Sequence, residues 1–114
     1  STPRLSKAVT SATGSLSNDD IRKVLSRQAG FFQRCYFTYL NRLSGAKVPG
    51  VRQGTVTVGF TIEGSGKVAG AKLVRTDFKD ATLNNCVVET IERTQFRGFS
   101  GDAIPVLEFP VELK

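Results

Sequence analysis

Histidine, tryptophan and methionine are absent from this 114-residue chain, and cysteine occurs only twice. Without histidine, no Ser-His or Cys-His nucleophile pair can be assembled from its own residues. Two thiols and no imidazole leave too few soft ligands for the usual zinc sites. No apolar run approaches the roughly 18 residues that a membrane helix needs. No signal peptide opens the sequence, and Ser1-Thr2-Pro3 reads as a boundary inside a longer protein. The carboxylates mark no acid–base pair: Asp19 and Asp20 look like helix-start residues, Glu89 and Glu92 like a solvated helix face. These absences lead us to expect a domain that is not an enzyme and carries no metal or cofactor.

What is present fits one modest core. Hydrophobic residues make up 39% and charged residues 23%, both ordinary for a globular domain. The net charge of +6 is unevenly spread. Residues 18–53 hold seven basic and two acidic side chains, whereas residues 54–114 hold seven and eight. The excess therefore belongs to the first helix and the loop after it. Lys23, Arg27 and Arg34 gather on one flank of that helix. Such a patch is either an ordinary solvated face or a surface for an anionic partner, whether nucleic acid, an anionic lipid surface, peptidoglycan or an acidic protein. No aromatic platform or nucleic-acid motif accompanies it.

Residues 1–17 are rich in Ser and Thr without apolar periodicity and read as a flexible linker. The domain proper is residues 18–114. Ser17 is a capping residue for a helix expected from about Asp19 to Leu43, with Ile21, Leu25, Gln28, Phe32, Cys35, Tyr39 and Leu43 on one stripe. Gly30 interrupts it, Ser44-Gly45 should end it, and Pro49-Gly50 makes a turn. Strict alternation follows: Val56, Val58, Phe60 and Ile62 share one strand face, and Thr55, Thr57, Gly59 and Thr61 the other, which is more polar and open to water. Glu63-Gly64-Ser65-Gly66 is a hairpin turn. A phosphate-loop reading of Gly64-Ser65-Gly66-Lys67 fails, because Thr61 and Val68 occupy positions the motif reserves for Gly and Ser/Thr. On the returning strand Val68, Ala71 and Leu73 share a face only if a bulge lies near Gly70. Asp80 caps a second helix, Ala81 to about Thr94, with Leu83, Cys86, Val87, Thr90 and Ile91 inward. After a Gly-rich loop comes a last strand in which Leu107, Phe109, Val111 and Leu113 alternate.

The order α-β-β-α-β predicts an α+β fold with two helices packed on one face of a three-stranded antiparallel sheet. Pro105 and Pro110 lie within the last strand, and proline cannot donate to a ladder, so this strand belongs at a sheet edge. An edge strand is a template to which an extended peptide can add. Cys35 and Cys86 both lie on stripes facing the sheet. They are either two buried thiols or a disulfide; the bonded form would close a loop of about 50 residues, worth roughly 4 kcal/mol, and would imply an oxidising compartment.

The run Gly54-Thr55-Val56-Thr57-Val58-Gly59-Phe60-Thr61-Ile62, then Gly64-Ser65-Gly66-Lys67-Val68, Ala71-Lys72-Leu73-Val74, Leu83-Asn84-Asn85-Cys86-Val87, Phe96 and Val106-Leu107-Glu108-Phe109-Pro110-Val111 together resemble the C-terminal domain of the TonB family. Cys35-Tyr36 and Cys86-Val87 resemble the cysteine pair of the AgmX/PglI-type domains of gliding-motility and envelope proteins. The resemblance spans roughly residues 20–113. It implies a periplasmic domain of an inner-membrane-anchored protein, coupling an energised inner-membrane complex, met through a preceding part of the protein, to an outer-membrane or periplasmic segment in extended form. That segment would add to the last strand at Ile104, Val106, Leu107, Glu108, Phe109 and Val111. Nucleic acid is not an implied partner, and no membrane span lies in this stretch.

Overall fold

In the computed structural model, which describes residues 4–5, 9–10, 16–46 and 50–114, the chain runs β1 (Arg4–Leu5), β2 (Val9–Thr10), α1 (Asn18–Ser26), α2 (Ala29–Ala46), β3 (Gly54–Ile62), β4 (Val68–Thr76), α3 (Ala81–Glu92) and β5 (Ile104–Leu113). The three long strands make an antiparallel sheet with β3 in the centre, flanked by β4 and β5. The fold is α+β. Among the described residues no helix is long and apolar enough to cross a membrane.

The alternation in β3 sets the core. Val56, Val58, Phe60 and Ile62 are at most 4% exposed and pair in register with Val111, Phe109, Val106 and Ile104 of β5. Between Val58 and Phe60 the register slips, because Phe109 and Val106 are three residues apart. The extra residue makes a bulge at Leu107–Glu108 and lets both side chains face inward. Against this face pack Ile21 and Leu25 of α1, Phe32 of α2 and Leu83, Val87 and Ile91 of α3, all buried in the same cluster. Cys35 of α2 and Cys86 of α3 are joined as a disulfide.

The caps follow the sequence. The Ser17 hydroxyl accepts from the Asp20 amide and the Asp20 carboxylate accepts from the Ser17 amide, each at 3.1 Å, a reciprocal capping box. Asp80 accepts from the Leu83 amide at 2.8 Å to start α3. In the hairpin turn the Gly66 amide donates to the Glu63 carbonyl at 2.7 Å. The Gly-rich loop then docks on that turn, its Phe96 and Phe99 amides donating to the Gly66 and Gly64 carbonyls.

Several expectations need correction. The helix expected over Asp19 to Leu43 is two helices. The Arg27 and Gln28 amides bond three residues back, to Val24 and Leu25, and these tight turns break the axis before Gly30. Gly30 itself lies inside α2 with nothing near its Cα side. The second helix runs through Ser44-Gly45 to Ala46; one late glycine costs about 1 kcal/mol, too little to stop a packed helix. In the Pro49-Gly50 turn, Pro49 lies outside the described residues. The bulge near Gly70 is present: Gly59 pairs with Lys72 and Thr61 with Ala69, and Gly70 has φ +62°. Yet Leu73 is 41% exposed, since a second register shift follows it and β4 has no neighbour on its far side among the described residues. The polar sheet face is also drier than expected. Thr57 and Gly59 are buried there, and an Arg75–Glu108 ion pair joins β4 to β5 across β3.

The linker reading of residues 1–17 meets two findings. Arg4–Leu5 and Val9–Thr10 are short strands of the sheet, and Leu16 is buried in the core. Residues 1–3, 6–8 and 11–15 lie outside the described residues.

Candidate functional site

β5 owes its strand form to alternation and its position to proline. Ile104, Val106, Phe109, Val111 and Leu113 are 0–1% exposed, so their side chains belong to the core. Of the six residues expected to meet a partner, Ile104, Val106, Phe109 and Val111 have only backbone to offer. Leu107 is 52% exposed, and Glu108, half-buried, is held by Arg75. The bulge is what turns these two away from the core. Pro105 and Pro110 pair with Thr61 and Thr57 of β3, and among the described residues the other side of β5 carries only the short β1 and β2, an edge setting in which proline is tolerated.

That other side is not empty. β1 lies antiparallel along it with Arg4 opposite Glu112 and Leu5 opposite Val111. β2 lies further along with Val9 opposite Glu108 and Thr10 opposite Val106. The edge expected to receive a partner is thus occupied by Arg4–Leu5 and Val9–Thr10 of the same chain. The only trace in the sequence was a β-type Val9-Thr10 pair in a stretch of Ser and Thr, too short to read as a strand.

The basic flank is divided by the helix break. Lys23 lies in α1 and Arg27 caps its end, while Arg34 lies in α2, its guanidinium 5.7 Å from the centroid of the Phe31 ring. All three are exposed, and among the described residues none has a carboxylate partner. Arg34 borders a groove of about 270 Å³ between α2 and α3, with Phe31, Thr38, Arg42, Glu89 and Arg93 around it and the disulfide at its base. Sequence reasoning missed Phe31, Arg42 and Arg93, since only the helix pairing brings them together. Arg93 is paired with Glu89 at 3.5 Å and Arg42 with Asp80 at 2.8 Å, which blunts the local positive field.

A second depression, at the end of α2, is lined by Tyr39, Leu43, Gly50, Val51, Asp77, Lys79 and Asp80. The Tyr39 hydroxyl and the two carboxylates are structurally committed. The Tyr39 hydroxyl donates to the Val51 carbonyl at 2.6 Å, and burial followed by the nearby Asp80 charge pushes its pKa up. Asp77 accepts from the Thr55 amide at 2.9 Å. Burial works to raise the Asp80 carboxyl, but the Leu83 amide and Arg42 outweigh it and hold the pKa below the ordinary value. Among the described residues no group of three or more Cys, Asp or Glu could hold a metal ion.

No family model, curated protein or solved structure matches the chain.

Proposed function

We propose that this chain is a non-enzymatic, TonB-like interaction domain of the periplasm that couples an energised inner-membrane complex to an outer-membrane or envelope partner, with gliding motility as one such setting. The partner supplies an extended segment that adds as a strand to β5. The observation that carries this reading is the pairing of β1 and β2 along the outer side of β5, at Val106, Glu108, Val111 and Glu112. An edge that accepts two short strands has the geometry to accept another extended segment. Backbone ladders suit mechanical coupling, because many bonds share the load while exposed side chains such as Leu107 add selectivity. The Cys35–Cys86 disulfide supports an oxidising compartment.

The test is an amide NMR titration with extended peptides taken from periplasm-facing segments of candidate outer-membrane proteins. Saturable shifts concentrated on Ile104–Leu113 are expected. Shifts on helix residues alone would defeat strand addition.

A second reading rests on the exposure of Lys23, Arg27 and Arg34 without carboxylate partners. It makes the helix layer a basic surface for nucleic acid or peptidoglycan. Salt separates the two: binding to a polyanion falls steeply with ionic strength, whereas a backbone ladder weakens only mildly.

A further inference from the structure

The sheet has two edges, and they are protected in different ways. β4 carries two register shifts, a left-handed Gly70 and the cations Lys72 and Arg75. Bulges and charge of this kind discourage pairing permanently, because they are part of the strand itself. β5 has one bulge, and its outer side is covered instead by β1 and β2. Among the described residues the cover is two strands of two residues each, held to β5 by four register pairs, far shorter than the pairing of β3 with β5. It persists because a short tether supplies an effective concentration on the order of millimolar.

We infer that the strands Arg4–Leu5 and Val9–Thr10 are a built-in competitor for the β5 edge, a pseudo-ligand that an incoming extended strand must displace. This rests on the reading of β5 as a strand acceptor. Competition lowers a partner's apparent affinity by the fraction of time the edge is open: an edge open about one-tenth of the time weakens binding tenfold. It also links the edge to whatever precedes the domain. Tension on the chain ahead of Arg4 would strip β1 first, then β2, and so expose β5 when the protein is pulled. The order follows from the register, with β1 at the Glu112 end and β2 at the Val106 end.

The experiment uses the full chain and a variant with proline at Arg4, Leu5, Val9 and Thr10, positions where a ring removes the donor and stiffens the backbone. Two readouts are taken: hydrogen exchange of the Val106, Glu108, Val111 and Glu112 amides, and binding of a free peptide with the sequence of residues 4–10 at millimolar concentration. In the variant at least one of those amides should exchange at least about tenfold faster, as an open fraction near one-tenth implies, with β3 amides unchanged. The free peptide should shift β5 resonances in the variant and leave the parent chain unaffected. A second variant, Val9→Cys with Glu108→Cys, joins register partners by a disulfide and should abolish capture of any extended peptide. Equal exchange in parent and proline variant would overturn the competitor alone and leave β5 as an acceptor. Faster exchange without peptide uptake by the opened variant would overturn the acceptor reading and the competitor with it.

Discussion

Cys35 and Cys86 are covalently joined with their Cα atoms 5.8 Å apart, fastening α2 to α3 across 51 residues of sequence. Two of the three long strands, the central β3 and the edge strand β4, lie inside that loop. The bond therefore constrains the unfolded chain more than it adds contacts to the folded one.

Replacing both cysteines with alanine should lower unfolding free energy by about 4 kcal/mol, the loop-entropy value for a ring of this size. Urea unfolding of the double variant against the oxidised parent measures it. A loss under about 1 kcal/mol would show that the loop is already constrained when unfolded.

β5 separates stability from recognition side chain by side chain. Phe109 is fully buried, and Phe109→Ala should cost about 3–5 kcal/mol. Leu107 is 52% exposed, and Leu107→Ala should stay within about 0.5 kcal/mol while weakening capture of extended peptides. Thermal unfolding with peptide titration checks both; equal destabilisation by the two would contradict the bulge that turns Leu107 outward.

Asp80 caps α3 and pairs with Arg42. Asp80→Ala should cost about 1 kcal/mol through the lost cap. The folded carboxyl titrates below its ordinary value of 3.8, so its stabilisation is complete above the unfolded pKa and is lost as pH falls through the lower, folded value. Between pH 5 and pH 2 the parent should lose more stability than Asp80→Asn. Parallel pH profiles would refute a stabilising charge there.

Gly66 has φ +90°, and a Cβ placed on it would lie 2.0 Å from the Phe96 carbonyl oxygen, a backbone atom with no room to retreat. Gly66→Ala should cost more than about 1 kcal/mol, loosening the Gly-rich loop from the hairpin. Chemical denaturation measures the cost, and the Phe96 and Phe99 amide signals report the loosening. A neutral substitution would mean that the loop does not depend on this contact.

Side-chain period and turn chemistry made much of this molecule legible. Val56, Val58, Phe60 and Ile62 alternate because one sheet face is dry; Ser17 and Asp80 stand where orphan helix amides need acceptors; Gly70 marks the bulge in β4. Each is a local relation, and a one-dimensional sequence records it. The helix break at Arg27–Gln28 escaped because its apolar stripe runs through Ile21, Leu25, Gln28 and Phe32 without a gap. The break is made by backbone turns, in which the Arg27 and Gln28 amides bond three residues back, and tertiary packing rather than side-chain period decides where they fall. The groove around Phe31, Arg34 and Arg93 was hidden for the same reason, being a product of α2 meeting α3. At the candidate site the sequence by itself determined that β5 lies at the edge of the long strands, since two prolines cannot serve a central one. Only the tertiary structure decided that Arg4, Leu5, Val9 and Thr10 return to cover that edge, because strand pairing is set by backbone groups that every residue carries and leaves almost no mark on side-chain pattern.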